Sequence, residues 1–178
     1  MCLIAILTWI SKIKKEIESK EKCLCVLVNN AGIAPGKTEV KGSSEELVDK
    51  LFDGTTEQEW LDVYQTNVVG PFLMSTAFLP LLQKSTEIHK GFSGTIINIS
   101  SISGHIRISQ GHFAYNSSKG AAIHLNKMLA SEIAKNGSKS TEYKLVPNIL
   151  THYSQSSRQL NCSWCLPFRD DYPGKQRR

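Results

Sequence analysis

The sequence predicts an α/β fold in which a doubly wound parallel sheet lies between two layers of helices. Two short apolar runs, at residues 24–29 and 95–100, are typical of strands buried on both faces. Helical patterns near 8–20, 57–83 and 113–135 alternate with these strands, which indicates βαβ units. Because such crossovers are right-handed, we expect helices on both faces, in three layers.

Local signals support each helix. Ile10, Ile13 and Ile17 recur at i, i+3 and i+7 between charged residues, which predicts an amphipathic first helix. The segment TEQE at residues 56–59 is a capping box that opens the second helix. The third helix meets a stop signal, Asn-Gly, at residues 136–137.

The chain divides into a predicted domain at residues 1–137 and a divergent tail at 138–178. The tail is polar and lacks a sustained period, so we expect it to be poorly ordered, although residues 143–150 could add a strand. It holds seven Lys/Arg and three Asp/Glu, which is +4 of the chain's net charge of +5. The nearly neutral domain therefore offers no electrostatic footprint for nucleic acid.

The five cysteines predict neither a disulfide framework nor a metal site. Cys23 and Cys25 have the wrong spacing for a zinc knuckle, and the pair Cys162 and Cys165 would need two further ligands. We expect ordinary reduced thiols and no metal.

The apolar start, MCLIAILTWI, predicts neither a membrane span nor a secretory signal. It is shorter than the roughly 20 residues that a spanning helix needs. A signal peptide would begin with basic residues and end at a small-residue cleavage site, and neither is present. We expect a cytoplasmic protein, with peripheral membrane contact left open.

Polar groups from three segments should meet beyond the carboxyl ends of the strands, where open parallel sheets bind ligands. NNAG at residues 29–32 follows the first strand, Ser100 and Ser101 follow the second, and Tyr115 and Lys119 begin the next helix. The spacing of Tyr115 and Lys119 places both side chains on one helix face.

Four motifs, in this order, resemble the short-chain dehydrogenase/reductase family: NNAG at 29–32, Asn67 in YQTNVVGPF, NISSISG at 98–104 and YNSSK at 115–119. The resemblance covers residues 10–137. It implies a partial Rossmann-type fold, an NAD or NADP cofactor, and hydride transfer between the nicotinamide and an alcohol or carbonyl substrate. The cofactor groove is implied at Asn29, Ala31, Gly32, Tyr115 and Lys119.

The catalytic residues that the resemblance implies are Asn67, Ser101, Tyr115 and Lys119. A free tyrosine has a pKa of about 10, and a neighbouring ammonium favours the phenolate. Tyr115 could then exchange a proton with the substrate oxygen, which the Ser101 hydroxyl would hold. Ser103 is an alternative holder.

Asn67 has a further argument from its own sequence context. Pro71, four residues later, cannot donate the helical hydrogen bond to the Asn67 carbonyl, so we expect a kink and a free carbonyl there. In the family, this backbone binds a water that links to the lysine.

Three features depart from the family pattern. No TGxxxGxG turn for the cofactor pyrophosphate precedes NNAG, the segment from Gly32 to Asn67 is long, and the resemblance ends after Gly137. These departures favour a truncated gene model, a retained intron or a shifted reading frame over a genuine divergent tail. We expect this chain to bind dinucleotide weakly and to turn over little or not at all.

Two expectations concern partners. Helices 67–83 and 113–135 correspond to those that pair subunits in the family, so the resemblance implies a homo-oligomer. The alternative to an enzyme is a non-catalytic fragment that binds a full-length relative through the same helices.

Overall fold

The computed structural model describes residues 3–91, 94–136 and 144–149. The helices are α1 (Leu3–Lys20), α2 (Ser44–Val48), α3 (Glu57–Tyr64), α4 (Gly70–Ile88) and α5 (Phe113–Asn136), with π-helical turns at Asp49–Asp53 and Gln65–Val69 and a 3₁₀ turn at Ile102–Gly104. The strands are β1 (Val26–Asn29), β2 (Thr95–Ile99) and β3 (Lys144–Ile149). The tail beyond residue 149, including Cys162 and Cys165, lies outside the described residues, so its predicted disorder stays a prediction.

The three strands form one parallel sheet in the order β1-β2-β3, which confirms the predicted α/β class. Leu27 lies opposite Ile96, and Asn29 opposite Asn98. Helix α4 packs on β1 and β2, and α5 packs on β3. Because the strands follow each other in chain order, right-handed crossovers place both helices on the same face of the sheet.

The prediction that the first strand is buried on both faces is wrong. Val26 and Val28 are 42% and 51% exposed, whereas Leu27 faces the helices and packs against the core. Alternate residues of a strand point to opposite faces, and among the described residues only one face carries helices. The described part of the fold therefore has two of the three expected layers, and β1 is an edge strand of its sheet.

The core lies between α4 and the sheet. Phe78, Leu81 and Leu82 of α4 are fully buried against Ile96 of β2. Side chains of this kind each stabilise the fold by about 1.5–3 kcal/mol on burial. The Leu24 N–H donates to the Leu81 carbonyl at 3.0 Å, which fixes the chain as it enters β1.

The helix boundaries differ from the predicted ones in two places. Helix α1 begins at Leu3 rather than near residue 8, because the apolar start continues the helical pattern. The predicted helix at 57–83 is divided by the π-helical turn at Gln65–Val69. The Thr56 hydroxyl accepts from the Glu59 N–H at 3.3 Å, as the capping motif predicts. None of the described helices has both the length and the apolar content to cross a membrane.

Candidate active site

Lys119 lies beneath the carboxyl end of β2. It is only 4% exposed, and its Nζ donates to the carbonyl of Ile99, the last residue of β2, at 3.0 Å. The same Nζ lies 5.7 Å from the centroid of the Tyr115 ring. Burial lowers the pKa of Lys119 below its ordinary value. The predicted Tyr–Lys pair is therefore a half-buried phenol beside a buried amine, and not a solvated surface pair.

Ser101 caps the 3₁₀ turn that follows β2. Its Oγ accepts a hydrogen bond from the backbone N–H of Ser103 at 3.2 Å. The Ser101 hydroxyl can still donate its own proton to another oxygen. Ser103 thus contributes a backbone group to the position of Ser101, and the choice of Ser101 over Ser103 as the substrate holder stays a prediction.

Gly104 fixes this turn against α5. A Cβ at residue 104 would lie 2.7 Å from the Lys119 carbonyl carbon and 2.8 Å from the Gly120 nitrogen. No side chain fits at that distance, so only glycine allows the two backbones to touch. The contact places the turn that carries Ser101 directly on the helix that carries Tyr115 and Lys119. The sequence contains the glycine, but its partner comes from another element.

Asn67 connects the loop after β1 to α5. Its carboxamide accepts from the Ile33 N–H and donates to the Ile33 carbonyl, both at 2.9 Å, and also donates to Ser118 Oγ at 3.0 Å. Ser118 in turn donates to the Tyr115 carbonyl at 2.7 Å. Asn67 is 2% exposed and Ser118 is fully buried. Sequence reasoning missed Ser118, although a serine one residue before Lys119 was visible in the YNSSK motif.

The predicted interruption at Asn67 takes the form of a π-helical turn. The Gly70 N–H donates to the Gln65 carbonyl, five residues back, where an α-helix would bond four residues back. Pro71 has no N–H for an α-helical bond to Asn67, so the wider turn accommodates it. Single π turns inside helices often occur at functional sites.

Gly32 brings the NNAG loop close to both groups. A Cβ at residue 32 would lie 3.3 Å from Asn67 Oδ1 and 3.5 Å from Lys119 Nζ. Residues 30–34 are exposed, so the outer side of this loop is open to a ligand. Lys119 has three N–H donors, of which one binds the Ile99 carbonyl, so its remaining donors suit ribose hydroxyls. The exposed loop and Lys119 could together hold the nicotinamide ribose that the resemblance implies.

Asn29, which the resemblance assigns to the cofactor groove, makes its side-chain hydrogen bonds inside the protein. Its amide donates to Asn98 Oδ1 at 2.7 Å and to Ser75 Oγ at 3.0 Å, and Asn98 donates to Asn126 at 2.7 Å. This chain of amides links β1, β2 and α5, and sequence reasoning did not identify it. Ala31, by contrast, is exposed.

The long segment between Gly32 and Asn67 is attached to the loop before α5. The Thr38 N–H donates to the Gly111 carbonyl at 2.9 Å, and Gly111 has a φ of +79°, where glycine is favoured. Between these segments lies a cavity of about 220 Å³. Its lining includes Pro35, Thr38, Leu51, Glu59, Trp60, His112 and Phe113.

Comparisons with known proteins agree on one family. The family model described as short chain dehydrogenase matches residues 4–141. The 3-oxoacyl-(acyl-carrier-protein) reductase FabG of Staphylococcus aureus is 36% identical over 124 residues, which are 69% of this chain and 42% of that protein. The chain thus spans less than half the length of this relative.

Solved structures that are similar in both fold and sequence include two with a dinucleotide cofactor. The RhlG/NADP active-site complex of Pseudomonas aeruginosa has a TM-score of 0.59 and 26% identity, over 72% of this chain and 44% of that one. A Brucella ovis oxidoreductase of the short-chain dehydrogenase/reductase family, in complex with a partially ordered NAD, has a TM-score of 0.55 and 29% identity, over 73% of this chain and 52% of that one.

Proposed function

The chain belongs to the short-chain dehydrogenase family, and on that premise we propose that its residues form the acid–base end of an NAD(P)-dependent oxidoreductase site. The observation that carries this proposal is the convergence of the Tyr115–Lys119 pair, the Ser101 turn and the Asn67–Ile33 clamp at the carboxyl ends of the strands. The cofactor, when bound, would exchange a hydride with a carbonyl or alcohol carbon.

Each side chain has a task that its surroundings support. Tyr115 gives a proton to the substrate oxygen during reduction and takes one during oxidation. Its hydroxyl makes no hydrogen bond to another described residue, so it is available for this exchange. The Lys119 ammonium stabilises the negative charge that develops on the phenol oxygen. Ser101, held by the Ser103 N–H, donates its hydroxyl proton to the substrate oxygen.

Asn67 acts as a positioning residue in this proposal. Its carboxamide is fully engaged by Ile33 and Ser118, so its side chain holds the cofactor loop and α5 in register. The backbone carbonyl of Asn67, in the π-helical turn, would bind the water that links it to Lys119, as the family resemblance implies.

Cofactor choice and affinity are part of the same proposal. NADP is present in one solved neighbour and NAD in another, so both are candidates. The 178 residues contain no TGxxxGxG turn for the pyrophosphate. We therefore expect these residues by themselves to bind dinucleotide with a Kd weaker than ~1 mM, which is about 4 kcal/mol, and to turn over little.

The experiment begins with the transcript. Its full coding sequence is determined, the encoded protein is purified, and oxidation of NADH and NADPH is followed with a panel of ketones, aldehydes and acyl-thioester ketones. Turnover that is lost in Tyr115→Phe supports the proposal. Turnover that Tyr115→Phe leaves unchanged contradicts it.

A second candidate function is docking onto a related chain without catalysis. Helix α4 exposes Phe72 (39%), and α5 exposes Phe113 (39%) and Met128 (46%), so both helices that the resemblance assigns to subunit pairing carry accessible apolar side chains. Co-expression with a full-length relative tests this. Docking is supported if the two chains co-purify and if Met128→Glu weakens that co-purification. Docking is opposed if the chain associates only with itself.

A further inference from the structure

We infer that Cys23, Cys25 and His89 form a binding site for a thiophilic metal ion, with Zn²⁺ as the best fit. The Sγ atoms of the two cysteines and a ring nitrogen of His89 all lie within 4.8 Å of one another. Cys23 Sγ is 3.8 Å from His89 Nε2. The sequence prediction of no metal rested on the spacing of Cys23 and Cys25 and on the lack of two further ligands for Cys162 and Cys165, and it did not consider His89, which lies 64 positions beyond Cys25.

The separation of Cys23 Sγ from His89 Nε2 is close to the one that a tetrahedral ion requires, and the other separations are below 4.8 Å. Zn–S bonds of about 2.3 Å and a Zn–N bond of about 2.0 Å separate sulfur from nitrogen by about 3.5 Å in a tetrahedron. The observed 3.8 Å needs only a small contraction. Two sulfurs and an imidazole, without a carboxylate, favour Zn²⁺ over Mg²⁺ or Ca²⁺. The exposure of His89 leaves a fourth position open to water.

The backbone already holds the ligands in place. The Thr95 N–H donates to the Cys25 carbonyl at 2.9 Å, and the Leu24 N–H donates to the Leu81 carbonyl at 3.0 Å. His89 is the C-cap of α4, and its N–H donates to the Ser85 carbonyl at 2.9 Å. Two separate elements thus present the ligands from anchored positions.

An outer-shell partner is also present. The hydroxyl of Ser85, which is fully buried, donates to Cys25 Sγ at 3.3 Å. Hydrogen bonds to a coordinating sulfur orient the ligand and stabilise its thiolate form. The site lies before the first residue of β1, at the opposite end of the strand from NNAG. A bound ion would therefore join the end of α4 to the entry of β1 and leave the Tyr115 site untouched.

The test uses the full chain with Cys2, Cys162 and Cys165 replaced by serine, so that Cys23 and Cys25 are the remaining thiols. Reduced protein is titrated with Co²⁺, which gives a thiolate-to-metal charge-transfer band when sulfur binds. We expect one equivalent to bind, and Zn²⁺ to displace it. Loss of an outer-shell partner weakens metal binding by about 10–100-fold. Loss of a direct ligand, in Cys23→Ser, Cys25→Ser or His89→Asn, should weaken Co²⁺ binding by more than that.

The matched control is His124→Asn, because His124 is another exposed histidine, on α5. It should bind Co²⁺ as the parent does. Each variant's melting temperature is also compared with and without Zn²⁺, so that a variant with a weakened fold still serves as its own reference. The parent should melt higher with Zn²⁺, and His89→Asn should not. Absence of stoichiometric Co²⁺ binding, or unchanged binding in His89→Asn, would overturn the inference.

Discussion

Asn67 pairs with both backbone groups of Ile33, accepting from its N–H and donating to its carbonyl at 2.9 Å in each case. The Asn67 amide thus makes the two backbone hydrogen bonds that a neighbouring strand would make, and it fixes the loop that follows β1. Since the same amide reaches Ser118, which bonds the Tyr115 carbonyl, the loop and the catalytic helix are positioned together.

Replacing Asn67 with aspartate tests this clamp. The carboxylate keeps the acceptor for the Ile33 N–H but cannot donate to the Ile33 carbonyl or to Ser118. A buried group left without its partner costs about 1–3 kcal/mol, so we expect the free energy of unfolding in urea to fall by that amount or more. The exposed Asn30→Asp is the control and should change stability little. Equal effects of the two variants would argue against the clamp.

Gly104→Ala should destabilise the fold because the new Cβ would meet the backbone of Lys119 and Gly120 at under 3 Å. Overpacking of this kind costs about 1–3 kcal/mol. Gly36→Ala is the matched control, since nothing lies within 4 Å of a Cβ there and its φ is not in the left-handed region. Thermal unfolding of both variants measures the difference. A Gly104→Ala protein as stable as Gly36→Ala would show that the turn does not rest on α5.

Ser101→Ala and Ser103→Ala distinguish the two candidate substrate holders. Loss of a hydroxyl that stabilises the developing charge should lower turnover by about 10²–10³-fold in Ser101→Ala. Ser103→Ala retains the N–H that supports Ser101, so its turnover should stay within a few fold of the parent's. The comparison uses the initial rate of NAD(P)H oxidation by the protein that the full coding sequence encodes. The reverse order of effects would assign the role to Ser103.

The lowered pKa of buried Lys119 predicts a pH-dependent stability. In the range between its folded pKa and the ordinary lysine value of about 10.4, the unfolded chain binds more protons than the folded one. Stability therefore rises with pH across that range. The measurement is the free energy of unfolding of the parent minus that of Lys119→Met, which removes contributions from other groups. We expect this difference to increase with pH, and a decrease would mean that the ammonium form is favoured by folding.

Local patterns in the sequence predict what depends on short-range chemistry. Apolar runs predict β1 and β2, and the Pro71 argument predicts the interruption that the π-helical turn provides at Gln65–Val69. The i, i+4 spacing places Tyr115 and Lys119 on one face of α5, and the structure keeps them together.

Contacts between distant segments lie beyond such patterns. The Asn67–Ile33 clamp, the Gly104–Gly120 contact and the Asn29–Asn98–Asn126 amides join residues from separate elements, so they depend on the strand order and on crossover geometry. The same limit explains why His89 was not connected with Cys23 and Cys25. It also explains the exposed face of β1: its continuous apolar run is typical of a strand buried on both faces, but the run does not show which elements cover each face.

The central claim, that Tyr115 moves the proton during hydride transfer, is tested most directly by Tyr115→Phe in the transcript-encoded protein. Phenylalanine keeps the ring and its place beside Lys119 and removes only the hydroxyl. We expect carbonyl-dependent NAD(P)H oxidation to fall by about 10²–10⁴-fold, while the Kd for the dinucleotide and the melting temperature stay near those of the parent. Turnover within a few fold of the parent's, with dinucleotide binding intact, would contradict the assignment.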